Sequence, residues 1–166
     1  YITAHPLDKY TGIWDKHVSA RSTDFLIDEE TGETKAADST KQTIGGLVRN
    51  IKVNTTKTGQ QMAYLTIEDF VGSVEVILFP KAYEKNRRVL DMTNKVFITG
   101  RVQANVGAEA KLIADGLVSF DSVPRRLWLR FDSLAQYEAC RDDLFDILNE
   151  SDGKDTVTIY CVAEKQ

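Results

Sequence analysis

The chain has 166 residues, 42% of them hydrophobic and 28% charged, with a net charge of −4 and two cysteines. That composition suits a globular protein of one ordinary domain plus part of another, and no apolar run approaches the ~20 residues of a membrane helix. Cys140 and Cys161 read as buried structural thiols in a reducing compartment; with no CxxC, and only His5 and His17 beside them, a zinc centre is not expected.

Charge is unevenly spread. Residues 1–40 carry four basic and eight acidic residues, 41–120 eleven and seven, and 121–166 six and ten. A basic middle between acidic flanks favours a polyanion at the centre of the chain, because phosphate contacts need local positive charge rather than a basic whole.

Residues 1–40 show no sustained period and read as a linker, with one exposed hairpin between Phe25 and Asp38 turning at Glu30–Glu33. The chain opens on Tyr1 with neither a methionine nor a signal segment, so an excised fragment is expected. From Thr43 an alternating strand begins, in which Gly45-Gly46 suggests a bulge or sharp coil. A polar turn at 54–59 leads to a second strand, Gln61–Glu68, with Ala63, Leu65 and Ile67 on one face and Met62, Tyr64 and Thr66 on the other. A third strand follows at Ser73–Phe79, with Phe79 expected in the core. Pro80 then opens a short helix to Leu90 in which Arg87-Arg88 reads as a solvated face. Lys95–Gln103 and Lys111–Phe120 complete five strands, separated by a loop over 105–110.

Three strands, a helix and two strands is the element order of the OB-fold, a five-stranded Greek-key barrel. The fold class is therefore mainly β: an OB-fold barrel over 41–121, the linker before it, and a small β-α-β unit over 122–166. In that last unit Leu127–Phe131 and Thr156–Val162 are strands around a helix capped by Ser133, with Leu134, Tyr137, Leu144 and Leu148 as its apolar stripe and Asp152-Gly153 as a turn. Two strands and a helix make a very small core, so this unit is expected to be truncated.

On such a barrel, strands two and three and the loops after strands one and four form the binding surface. Arg49, Lys52, Lys57, Tyr64, Phe70, Arg101 and Lys111 lie around it. Aromatic rings stack on bases while basic side chains follow the phosphates, which holds single strands without reading sequence. Tyr64 is the leading stacking candidate, although an outward tyrosine also simply suits a strand. Phe70 either stacks or covers the barrel end. No catalytic constellation is visible: Glu68 and Asp69 are adjacent in a strand and point oppositely, and neither GxxxxGK[ST] nor GxGxxG occurs.

The stretch IGGLVRNIKVNTTKTGQQMAYLTIEDFVGSVEVILFP resembles the OB domain of the bacterial DNA polymerase III alpha subunit. That family shows a glycine in strand one, a TTKxGxxMAxxTxED run and GxVEVxxFP, here Gly46, Thr55–Asp69 and Gly72–Pro80. The opening YITAHPLDKY resembles the family's HPL segment, and the β-α-β tail resembles the start of its C-terminal domain, which contacts the clamp-loader subunit tau. The acidic stretch DEETGETKAAD at 28–38 is a variable part of the family, and its clamp-binding motif is not visible. The resemblance implies a cytoplasmic DNA-directed DNA polymerase as parent, a nucleotidyltransferase using Mg²⁺ on carboxylates outside this chain. It gives the barrel a non-catalytic role on single-stranded template, with no cofactor of its own and other polymerase domains as partners. Two other readings stand beside it: a structural docking domain in the replisome with weak DNA affinity, and an anticodon-type OB domain.

Overall fold

The computed structural model describes residues 5–124, 126–151, 153 and 155–162. They form two compact units, divided between Val123 and Pro124.

The first unit contains a closed barrel in the order β1-β2-β3-β5-β4, built from β1 (Lys41–Thr55), β2 (Gln61–Glu68), β3 (Ser73–Leu78), β4 (Lys95–Asn105) and β5 (Ala108–Ser119). The alternation read in β2 holds: Ala63, Leu65 and Ile67 are buried and meet Val74, Val76 and Leu78 of β3 in the barrel core. Closure comes from a parallel pairing of β3 with β5, Val76 opposite Leu112 and Ile77 opposite Ile113. Helix α2 (Pro80–Met92) packs on β2 and β5. Its buried Asn86 takes the Leu117 N–H on Oδ1 at 2.9 Å and donates from Nδ2 to the Ala82 carbonyl at 2.7 Å.

Strand β1 changes partner along its length. Lys41–Leu47 pairs with β4; from Leu47 onward the strand pairs with β2, with a bulge between Val48 and Asn50. The expected bulge therefore lies beyond Gly45-Gly46, and those glycines serve close approach instead. A Cβ on Gly46 would collide with the Glu68 carbonyl, and one on Gly45 with the Phe97 and Trp14 rings. Residues 49–55 are all exposed, Ile51 and Val53 included, because this half of β1 has β2 on one side and no strand on the other. β1 and β2 thus end in an arm closed by a turn in which the Thr56 N–H donates to the Gln60 carbonyl at 2.8 Å and Gly59 adopts φ +81°. The loop expected at 105–110 is shorter: Val106-Gly107 alone links β4 to β5, and Ala108–Ala110 join the strand expected to open at Lys111.

The reading of residues 1–40 as a linker needs correction. A 3-10 turn (Asp8–Tyr10), α1 (Thr11–His17) and a second 3-10 turn (Ser22–Phe25) bring Leu7, Tyr10 and Trp14 against Leu47, Phe97, Phe120 and Val123 in a second core. Trp14 donates from Nε1 to the Gly45 carbonyl at 2.7 Å. Asp69, in the β2–β3 turn, accepts from the Ser22 N–H and Oγ at 2.7 Å each and from the Val71 and Gly72 N–H groups at 2.9 Å each. The expected hairpin before β1 is reduced to one bridge, Ile27 to Thr34.

In the second unit β6 (Arg126–Phe131) and β7 (Thr156–Cys161) pair in parallel, joined through α3 (Leu134–Asn149). Ser133 caps α3 as expected, its Oγ accepting from the Gln136 N–H at 3.2 Å. Tyr137, Leu144 and Leu148 are half-buried while Leu134 is exposed, and α3 buries no residue fully. Cys140 and Cys161 are free thiols, half-buried rather than buried. The Asp152-Gly153 turn falls partly outside the described residues, as do Tyr1–Ala4 of the opening motif.

Candidate nucleic-acid interface

The strand registers set one row of side chains on the outer wall of the barrel. Lys52 of β1 stands opposite Tyr64 of β2, Tyr64 opposite Ile77, Ile77 opposite Ile113, and Ile113 opposite Arg101 of β4. The chain neighbours of Tyr64, Ile77, Ile113 and Arg101 (Ala63, Leu65, Val76, Leu78, Leu112 and Val102) point inward and are buried, so these four lie on the outer side, where Ile77 is itself covered to 8% exposure. Tyr64 is half-buried there. Lys111, next to Ile113, forms an ion pair with Glu75 at 2.6 Å. The hydrogen bond from Lys111 to Glu75 is the main reason its ammonium is held above the usual lysine range, and the Tyr64 phenol adds a smaller electrostatic contribution.

Tyr64 and the basic candidates separate into three groups. Lys52, Tyr64 and Lys111 share the wall, and Lys57 sits exposed in the turn at the end of the arm. Arg101 is exposed further round the same row, beside Lys41. Arg49 is engaged: Nε donates to Glu68 Oε2 at 2.9 Å and Nη2 to Oε1 at 2.6 Å, a two-pronged pair. That hydrogen bonding keeps the Glu68 carboxyl below the usual glutamate range. The stabilisation it gives is present at neutral pH and is lost as pH falls through that lowered value.

Phe70 is placed elsewhere. It lies in the β2–β3 turn, half-buried, with the Trp14 ring edge-on at 5.2 Å and the His5 ring at 5.2 Å, so its faces serve the second core. The core position expected of Phe79 is corrected: Phe79 is 49% exposed. It continues the outward parity of the exposed Ser73 and Glu75, past a covered Ile77, and its neighbour Leu78 takes the core position. That parity was readable from the sequence; the apolar run into Pro80 obscured it. Among the described residues no group of three or more His, Cys, Asp or Glu side chains is arranged to hold a metal ion, and no helix is long and apolar enough to cross a membrane.

A closed five-stranded barrel with this strand order is an OB-fold, and residues 42–119 match the family described as OB-fold nucleic acid binding domain. Beyond the barrel, the chain is similar over its length to the alpha subunit of bacterial DNA polymerase III, as its TTKTGQQMAYLTIED and GSVEVILFP motifs imply. It is 24% identical to that subunit from Bacillus subtilis across all of this chain and 14% of that protein. With the subunit from Saccharopolyspora erythraea it shares 30% over 117 residues, 70% of this chain and 9% of that protein. With that from Pseudomonas aeruginosa it shares 31% over 102 residues, 61% of this chain and 8% of that protein. The chain therefore spans a small part of the relatives it matches. A solved asparaginyl-tRNA synthetase from Pyrococcus horikoshii aligns over 54% of this chain and 23% of its own, with 20% identity and a TM-score of 0.39, too low to bear on function.

Proposed function

We propose that the barrel is a non-catalytic module that holds single-stranded DNA template within a replicative, cytoplasmic DNA polymerase. The observation that carries this reading is Tyr64 on the wall with Lys52 opposite it and Lys57 on the arm, a ring for bases flanked by cations for phosphates, while Lys111 on the same wall is paired with Glu75. Nucleotide addition with Mg²⁺ is assigned to other parts of the parent polymerase. The second unit supports a separate docking role, toward other polymerase domains or the clamp-loader tau subunit, because Leu127, Trp128, Phe145, Ile147 and Tyr160 are exposed on it.

Fluorescence anisotropy of labelled oligo-dT at low and high salt tests the reading. The chain is expected to bind with marked salt sensitivity, and Tyr64→Ala with Lys57→Ala is expected to weaken binding by about 1–3 kcal/mol for the stacked base plus roughly 0.7 in the log–log salt slope for the lysine. No binding at low salt would sink an autonomous template module and leave domain docking. The Arg49–Glu68 pair adds a gain-of-binding test. Glu68→Gln removes a negative charge and releases Arg49, so the salt slope is expected to steepen by up to about 0.7. An unchanged slope would place Arg49 outside the strand's path.

A further inference from the structure

Beyond the wall, the rim below β3 opens into a groove of about 800 Å³ lined by Gln60, Gln61, Phe79, Lys81, Tyr83 and Arg87. Three independent features meet there. The first is Phe79, a large aromatic side chain 49% exposed on a barrel whose other aromatic residues mostly pack. Chain direction explains its exposure: Leu78 takes the last core position, and Phe79, with φ −64° and ψ 161°, extends the strand by one residue before Pro80 starts α2. The second is charge. Lys81 and Arg87 are exposed on the first two turns of α2, against one carboxylate in the groove, Glu84; Arg87 has only a loose pair with Asp91 at 3.9 Å. A pair that exposed and that long contributes little and gives way readily to a phosphate. The third is continuity. In the β2–β3 register Tyr64 stands opposite Ile77, so Phe79 is its diagonal neighbour two residues on, a separation of about 7–8 Å on one sheet face.

We infer that this groove is a second base-stacking position for single-stranded DNA, in which Phe79 takes a base next along the strand from the one on Tyr64, and Lys81 and Arg87 take the intervening phosphates. Gln60 and Gln61, at the tip of the arm, bring amide donors and acceptors to the same groove and suit the edges of an unpaired base. The strand then leaves the barrel wall along the first turns of α2 rather than over the top of the β2–β3 turn, where Phe70 is covered by Trp14 and His5. This inference rests on the template-binding reading of Tyr64 and extends its footprint.

Length-dependent binding separates the two claims. Anisotropy is measured with the full chain on labelled oligo-dT of about 4 and about 12 nucleotides, within the range an OB-fold occupies. Phe79→Ala is expected to weaken the longer oligonucleotide roughly 5- to 150-fold and to leave the shorter one within about twofold, with Phe79→Tyr retaining affinity for both. Arg87→Gln is expected to lower the salt slope for the longer oligonucleotide alone. Both positions are exposed, and unchanged far-ultraviolet circular dichroism and melting temperature confirm that the variants fold. If Phe79→Ala binds both lengths as the wild type does while Tyr64→Ala loses them, the groove is not on the path and the inference is overturned with the wall reading intact. If the wild type binds neither length, the wall reading fails and takes the groove with it.

Discussion

Replacing Trp14 with alanine is expected to destabilise the first unit by about 3–5 kcal/mol, the range for removing a large buried ring. The side chain is 3% exposed, donates to the Gly45 carbonyl and stands edge-on to Phe70, so its removal leaves both a void and an unsatisfied acceptor. For a unit of this size that corresponds to a fall in melting temperature of roughly 10 °C or more, readable by circular dichroism. Trp14→Phe keeps most of the apolar contact and orphans the carbonyl alone, so a smaller loss of about 1–3 kcal/mol is expected. A loss below about 1 kcal/mol for Trp14→Ala would mean that the N-terminal segment contributes no core and is a linker after all.

The second large effect is expected at Asp69. Its two carboxyl oxygens collect four donors, two from Ser22 and two from the backbone of its own turn, at a site 6% exposed. Asp69→Ala leaves the Ser22 pair without acceptors in a buried place, where each unsatisfied donor costs about 1–3 kcal/mol. A total loss of about 3 kcal/mol or more is expected in urea unfolding. Asp69→Asn keeps one acceptor oxygen and should fall between. The two variants also report on different joints: Trp14 holds α1 to β1, and Asp69 holds the second 3-10 turn to the β2–β3 turn. If Asp69→Ala cost less than about 0.5 kcal/mol, water would be replacing the carboxyl, and the joint would not be closed to solvent.

The barrel was legible because period-two alternation survives wherever one face of a strand is buried. Ala63, Leu65 and Ile67 announce β2 without help from any distant residue, and Pro80 fixes the start of α2. What escaped depends on partners far along the chain. The helix carrying Trp14 spans seven residues, too few for a helical period to emerge, and its ring finds its place only when Gly45 and Phe70 arrive. Nothing local shows that Arg49 is taken by Glu68, because the pairing follows from the β1–β2 register and a bulge that shifts it. Ile51 and Val53 carry core-like composition but face solvent, since no strand covers that half of β1. Of the proposed site, Tyr64, Lys52 and Lys111 come together as the fold class implied. Phe70, open to either role in the sequence, is half-buried against a segment read as a linker, and Phe79, read as core, is exposed by parity.

The arm formed by β1 and β2 has a kinetic consequence. Its turn lies just past the last β2–β3 pair, Ala63 with Leu78, and carries Lys57 beyond the edge of the barrel wall. A cation on such an outrigger meets the field of an approaching polyanion before the wall does, and charges at the rim of an interface act mainly on the rate of encounter. Tyr64, seated in the wall, contributes only after the strand has landed, and contacts of that kind govern how long it stays. The two substitutions combined in the anisotropy experiment thus act on opposite halves of one equilibrium: Lys57 on arrival, Tyr64 on departure.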